Sequence, residues 1–266
     1  MGIFKKIMEL EQGQKAGVLV TVVDKKGSGP TETGSRMLVY SNGKTAGTVG
    51  GGELEKLATE KALEVFESRE NCLQEYNLEE NDGMGQPTEM ICGGTAQLFF
   101  EYFAPKTNIY IFGGGHIGQA LVYHLKKLDY KITVIDDRRE VLNKIKAADN
   151  LVHDEFENAL ENEKVVPDSF FIIATYQHKY DGVVLNRIYK SSWNPRYIGM
   201  VSSRHKRKTI YENLQKEVPN PDLDICYLPV GLDIGGSSPH EIALSIISEI
   251  QKVKYEKSGK HLRDVN

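Results

Sequence analysis

The sequence predicts an α/β protein in two parts: a mixed α/β N-terminal domain over residues 1–104, and a Rossmann-like domain with a parallel sheet over residues 105–266. Three observations predict it. The length of 266 residues fits two ordinary domains. Beyond Pro105, short apolar runs alternate with segments of helical spacing, the pattern of a parallel sheet covered on both faces. That second stretch opens with an apolar run followed at once by the glycine turn Gly113-Gly114-Gly115-His116-Ile117-Gly118. Between the parts lies Ala104-Pro105-Lys106-Thr107-Asn108, where a proline denies a ladder donor and fits a linker between strands.

In the first part, Phe4 to about Leu10 reads as a helix that stops near Gly13. Gly17-Val18-Leu19-Val20-Thr21-Val22-Val23 is short and β-branched, hence a buried strand. Arg36-Met37-Leu38-Val39-Tyr40 and Thr45-Ala46-Gly47-Thr48-Val49 flank Ser41-Asn42-Gly43-Lys44. Asn-Gly between two apolar runs signals a hairpin, because both residues tolerate positive φ. A helix starts near Glu53 and places Leu54, Leu57, Ala58, Ala62 and Val65 on one face. Thr95 to Phe103 is another strand.

In the second part the strands are Ile109–Phe112, Ile132–Ile135, Phe170–Ala174 and Tyr197–Val201, with helical spacing between them, as at Leu121, Leu125 and Leu128. Ser238 before Pro239, with Glu241 at the third helical position, marks the start of a last helix. Along it Ala243, Ile246, Ile247 and Ile250 follow the i, i+3, i+4, i+7 spacing. The preceding Gly231-Leu232-Asp233-Ile234-Gly235-Gly236 is too elaborate for a cap alone, and a return of the chain across the domain boundary accounts for it.

The glycine turn fits the dinucleotide fingerprint, with Asp136 at the end of the next strand roughly 20 residues on. Gly113 permits the sharp turn, Gly115 lets backbone N–H groups approach phosphate oxygens, and Gly118 lets the helix pack on the strand. Asp136 suits a ribose diol and Asp137 a helix cap. His116 either contacts a ligand or packs at the helix start. Tight packing without a ligand is the alternative reading of the whole turn.

Ligands of open α/β sheets bind beyond the carboxyl ends of the strands. That rule sets Thr175, His178, Asp181, Ser202, Ser203 and Arg204 on the same rim as the turn. His178 suits either proton transfer or loop anchoring. In the first part, Ser28-Gly29-Pro30-Thr31-Glu32-Thr33-Gly34-Ser35-Arg36 is a loop rich in hydroxyls and glycine. Gly50, Gly51 and Gly52 then precede a helix, as either an anion-binding backbone nest or an ordinary turn. Cys92 enters a strand beside Gly93 and Gly94. It is either a small buried hydrophobe or a loop thiol open to a soft metal or sulfur chemistry.

The net charge of −4 and pI near 6.0 exclude a nucleic-acid binder that works by phosphate neutralisation. The run Arg204-His205-Lys206-Arg207-Lys208 is short and reads as a solvated helix face. No apolar stretch nears the roughly 20 residues of a membrane helix, and Met1-Gly2-Ile3-Phe4-Lys5-Lys6 lacks the apolar core of a secretion signal. Cys72, Cys92 and Cys226 form no Cys-x-x-Cys pair. Scattered thiols fit a cytoplasmic protein, with Cys72 and Cys226 structural.

Over nearly its whole length the chain resembles the XdhC/CoxI family of xanthine dehydrogenase accessory proteins. The runs that carry the resemblance are Gly34-Ser35-Arg36-Met37-Leu38, Thr48-Val49-Gly50-Gly51-Gly52-Glu53-Leu54-Glu55, Cys92-Gly93-Gly94, Phe112 to Gly118, Val134-Ile135-Asp136-Asp137-Arg138, and Pro229-Val230-Gly231-Leu232-Asp233-Ile234-Gly235. Thr175, His178 and Asp181 also match; Cys226 stands where many relatives have His. The resemblance implies a maturation factor, without turnover of its own, that binds the molybdenum cofactor (molybdopterin), allows its sulfuration and hands it to an apo-enzyme. The implied partners are a xanthine dehydrogenase-type molybdenum hydroxylase, a cysteine desulfurase and a second copy in a homodimer, with no nucleic acid or membrane. On this reading Gly50, Gly51, Gly52, Cys92 and Gly93 form a pocket facing Gly113, Gly115, His116 and Gly118 across the domain cleft. Asp136, Thr175, His178 and Ser203 complete the cofactor site, and Cys92 is the residue toward the metal. The alternative is an NAD(P)-dependent oxidoreductase, supported by the fingerprint and Asp136.

Overall fold

The computed structural model describes residues 2–12, 15–27, 31–77, 86–87, 94–161 and 163–265. The chain forms two compact units, Met1–Lys106 and Thr107–Asn266. The division follows Lys106, two residues beyond the boundary drawn from sequence.

The first unit contains α1 (Ile3–Gln12), β1 (Gly17–Gly27), β2 (Arg36–Tyr40), β3 (Thr45–Gly47), α2 (Gly52–Ser68), β4 (Cys72–Asn77), β5 (Gln86–Pro87) and β6 (Gly94–Phe103). Its sheet runs β3-β2-β1-β6-β4-β5. Val18, Val20 and Val22 of β1 bury on one face against Leu54, Ala58, Ala62 and Val65 of α2, while Leu38 and Ala46 meet Leu10 of α1 on the other. A register shift between Val22 and Asp24 lets β1 continue along β6 as far as Gly27, four residues past the apolar run. The hairpin forms as expected, but only Gly43 of its Asn-Gly pair takes positive φ, 75°, with its N–H donating to Tyr40 O. β3 ends at Gly47 rather than Val49: Gly47 has φ 88°, and a Cβ there would lie 2.3 Å from Arg36 O. The left-handed glycine turns the chain off the sheet toward α2.

The second unit runs β7 (Thr107–Phe112), α3 (His116–Leu125), β8 (Tyr130–Asp136), α4 (Arg139–Leu142), β9 (Asn150–His153), β10 (Phe170–Ile173), α5 (His178–Lys190), β11 (Tyr197–Met200), α6 (Arg207–Glu217), β12 (Cys226–Tyr227) and α7 (Pro239–Lys254). Its strands are parallel in the order β12-β11-β10-β7-β8-β9. The chain builds outward from β7 to one edge and then returns to fill the other, the doubly wound order, with its crevice between β7 and β10. Ile109 and Ile111 of β7 pack with α3 and α7, while Tyr110 and Phe112 pack with α5 and α6. This period-two alternation makes both faces core. Cys226 is buried in the edge strand β12, and Cys72 is half-buried in β4.

Helix α7 starts with the capping box expected from its sequence: Ser238 Oγ accepts from Glu241 N, and Glu241 Oε2 accepts from Ser238 N at 2.9 Å. The segment before it does not take the expected path across the domain boundary. Leu232 N donates to Ser245 O, and Gly231 N to the buried carboxylate of Glu249 at 2.9 Å, so the segment folds back on α7 of its own unit. Tyr197 donates to the same Glu249 oxygen at 2.7 Å. Among the described residues no helix is long and apolar enough to cross a membrane.

Candidate functional site

The glycine turn sits where β7 meets α3, beside the crevice. Its first two amides are used internally: Gly113 N donates to Ile135 O at 2.8 Å, and Gly114 N to Asp136 Oδ2 at 2.7 Å. Gln119 holds the turn from the helix side, its Nε2 donating to Gly114 O and its N–H to Gly115 O. The amides of Gly115, His116, Ile117 and Gly118 carry no hydrogen bond among the described residues. Four unsatisfied donors at the positive end of a helix dipole are an arrangement that favours negative charge nearby.

The three fingerprint glycines separate by what a side chain would meet. A Cβ on Gly113 would lie 2.1 Å from Ala174 O, and one on Gly118 would lie 2.0 Å from Gly113 O. Packing therefore demands glycine at both. At Gly115 a Cβ meets nothing within 4 Å, and its φ of −65° suits any residue. The protein's own packing does not explain that glycine. His116 is exposed at the helix start.

Asp136 departs from its expected role as a ribose acceptor. It is fully buried, and both oxygens are taken. Oδ1 accepts from Arg138 N at 3.0 Å and Arg138 Nε at 2.8 Å, while Oδ2 accepts from Gly114 N and from Arg138 Nη2 at 2.9 Å. Burial, the largest single influence, pushes this carboxyl up. The bonds from Arg138 and the Gly114 amide outweigh it and hold the group below its ordinary value. Asp136 therefore pins the turn and leaves no oxygen for a diol. The Arg138 guanidinium lies 4.0 Å from the centroid of the Tyr176 ring, whose hydroxyl donates to Asp137 Oδ2 at 2.9 Å. Asp137 is thus a partner of Tyr176 rather than a helix cap. Arg138 was legible as a residue two positions after the acid, but its return onto that acid was not.

On the rim, Thr175, His178 and Asp181 come together. Thr175 Oγ1 donates to Asp181 Oδ1 at 2.5 Å, and His178 Nδ1 lies 3.2 Å from Asp181 Oδ2. Asp181 is buried, which raises its pKa; the bonds from Thr175 and His178 pull it partly back. With Nδ1–H donating, the Nε2 of His178 faces solvent on a side chain 70% exposed. Ser203 stands exposed beyond β11, and the Arg204–Asp233 pair near it is open to water. Thr175 Cα would lie 3.1 Å from a Cβ on Gly113, so the rim cluster begins beside the turn.

In the first unit Gly50, Gly51 and Gly52 have φ of 126°, 82° and 61°, a left-handed run that favours glycine throughout. The nest they form already holds an anion. Glu55 Oε1 accepts from Val49 N at 3.2 Å, from Gly51 N at 3.0 Å, and from the Thr48 hydroxyl. In the sequence Glu55 stands out only as the end of the run from Thr48 that carries the resemblance, because its reach back to the turn needs helix geometry. Glu55→Ala is expected to cost about 1–2 kcal/mol, because the Val49 and Gly51 amides lose their acceptor, and to make stability more dependent on sulfate than in the parent. Chemical denaturation with and without sulfate checks this, and unchanged stability removes Glu55 as the anchor of the turn. Cys92 and Gly93 lie outside the described residues, as does Ser28-Gly29-Pro30 of the hydroxyl-rich loop. Among the described residues no cluster of three or more His, Cys, Asp or Glu is placed to hold a metal ion.

Comparison with known proteins fits this geometry. The family model "XdhC Rossmann domain" matches residues 109–250, and "XdhC and CoxI family" matches residues 10–77. YqeB of Escherichia coli (strain K12), an uncharacterized protein, is 30% identical over 267 residues, 97% of this chain and 47% of its own. A protein of Bacillus subtilis (strain 168) described as a probable xanthine dehydrogenase subunit is 28% identical over 158 residues, 59% of this chain and 46% of its own. The chain thus spans about half the length of these curated relatives. A crystal structure of a xanthine dehydrogenase from Bacillus halodurans matches over 98% of both chains, with a TM-score of 0.51 and 21% identity, which supports the fold.

Proposed function

The chain belongs to the XdhC and CoxI family, and from that premise we propose that it is a maturation factor for a xanthine dehydrogenase-type molybdenum hydroxylase. On this reading it binds the molybdenum cofactor, supports its sulfuration and delivers it to the apo-enzyme. The observation that carries the reading is the row of free amides from Gly115 to Gly118, with open space over Gly115. The cofactor's phosphate is the group such a row receives. His116 stands at the same helix start, and Thr175, His178 and Ser203 occupy the rim beyond the neighbouring strands. When bound, the cofactor supplies the metal–sulfur chemistry that the client enzyme uses. Cys92 is the soft donor proposed for its metal end. A cysteine desulfurase as sulfur source and a homodimer belong to the same proposal.

The dinucleotide alternative relied on Asp136 as the ribose acceptor, and that carboxylate is filled by Arg138 and Gly114. A phosphate-terminated pterin does not require it. The test is anaerobic incubation of purified protein with molybdenum cofactor, followed by gel filtration and measurement of molybdenum and pterin in the protein peak. Cofactor is expected to co-elute. Gly115→Val, whose Cβ meets nothing within 4 Å, is expected to retain the fold and at least about tenfold less cofactor, or about 1.4 kcal/mol. Absence of co-elution, together with tight NADH binding by the same preparation, would overturn the proposal in favour of the oxidoreductase.

A further inference from the structure

The far end of α3 carries an imidazole pair that the glycine turn does not use. His124 lies in the last turn of the helix, eight residues beyond His116 and roughly 12 Å along the axis. Its Nε2 is 3.2 Å from Nδ1 of His240, the second residue of α7. Packing holds that spacing. Leu121 and Leu125 of α3 share one core with Ala243 and Ile247 of α7, and the capping box fixes the turn on which His240 stands. The Tyr123 ring meets both imidazoles edge-on, with centroids 5.1 and 5.8 Å away. His124 is half-buried and His240 exposed, so solvent reaches the pair.

We propose that His124 and His240 form a two-ligand site for a divalent transition metal of the zinc, nickel and copper class, which clamps α3 to α7. The spacing is the main reason. Zinc–imidazole bonds run about 2.0–2.1 Å. Nitrogens 3.2 Å apart then subtend roughly 100–106° at the metal, close to the tetrahedral angle. Imidazole suits that class of metal, whereas magnesium and calcium take oxygen donors. Among the described residues no third His, Cys, Asp or Glu joins the pair. Dedicated zinc sites use three or four protein ligands, so water fills the remaining positions here and the affinity is modest. Without metal, one ring donates a hydrogen bond to the other. On metal binding the donor ring carries its proton on its other nitrogen instead, so both lone pairs face the metal and two neutral rings lose no net proton. Because packing presets the two helices, the rings act as a chelate and little ordering is lost on binding. Neither residue belongs to the cofactor site proposed above, and the two readings fail separately.

Full-length, tag-free protein is titrated with zinc and with magnesium near neutral pH, followed by NMR of the histidine rings and by thermal melting. Zinc is expected to shift the His124 and His240 ring signals together and saturably, and magnesium to leave them still. His124→Gln and His240→Gln each remove one arm of the chelate. Each is expected to weaken zinc binding at the remaining ring at least about tenfold. Glutamine is a good helix former, so both variants are expected to melt close to the parent without metal. Zinc is expected to raise the melting temperature of the parent more than that of either variant. His261→Gln, an exposed histidine elsewhere, is expected to bind zinc at the pair as the parent does. If zinc leaves both rings in place, or binds either single variant as tightly as the parent, the pair is an imidazole hydrogen bond only and the metal assignment is overturned. Equal zinc stabilisation of parent and variants would overturn the clamp.

Discussion

Gly113→Ala is expected to lower the stability of the second unit by about 3 kcal/mol, from overpacking against backbone and from left-handed strain. The added methyl would lie 2.1 Å from Ala174 O, at a residue whose φ is 113°. Neither a carbonyl at the end of β10 nor the turn itself can move without breaking the β7–β10 register that sets the crevice. For a domain of this size each kcal/mol shifts the melting temperature by roughly 2–4 °C, so the expected drop is about 6–12 °C. The single tryptophan, Trp193, stacks on Phe171 in the core of the second unit, so its fluorescence reports this unit. Gly118→Ala is expected to be costly through its clash with Gly113 O alone, while Gly115→Ala is expected to melt with the parent. A melt of Gly113→Ala within a degree or two of the parent would show that the close approach is not a constraint.

Asp136→Ala is the second large effect, expected at about 2–4 kcal/mol. Removing one partner of a buried pair costs roughly 3–5 kcal/mol, and the figure is reduced here because the Arg138 side chain is 30% exposed and can rehydrate. Two changes combine: Arg138 loses its bidentate partner, and the Gly114 amide loses its acceptor. The pH dependence has a definite sign. The folded-state pKa of Asp136 lies below its unfolded value, so its contribution is complete above about pH 4 and is lost as pH falls through the folded value. Denaturant unfolding of parent and variant should therefore differ fully near pH 7 and converge in strong acid. A difference that persists unchanged into acid would mean that the ionised carboxylate is not what holds the turn.

The parts of the fold that repeat were legible in the sequence. The alternation of Ile109, Tyr110, Ile111 and Phe112, repeated in Ile132–Ile135 and Phe170–Ile173, specified a sheet buried on both faces, and the structure has it. β9 and β12 were not legible, because edge strands of four and two residues, one of them largely exposed, carry no apolar alternation. The glycine turn was recognised from spacing, but the different reasons for Gly113, Gly115 and Gly118 emerge only from what surrounds each one. Asp136 was found and its task misassigned, since sequence places an acid at a strand end without revealing that Arg138 folds back on it. Gly50 to Gly52 showed the same limit, their anion being Glu55, one helical turn onward.

The most direct measurement is an amide NMR titration of the full chain with inorganic phosphate and with a pterin phosphate. Bound oxygens should shift the Gly115, His116, Ile117 and Gly118 amides saturably, and the Gly113 and Gly114 amides, already donating to Ile135 and Asp136, much less. If those four amides stay in place while the anion binds elsewhere, or if no anion binds at all, the helix start after β7 is not a ligand site and the cofactor-carrying role falls with it.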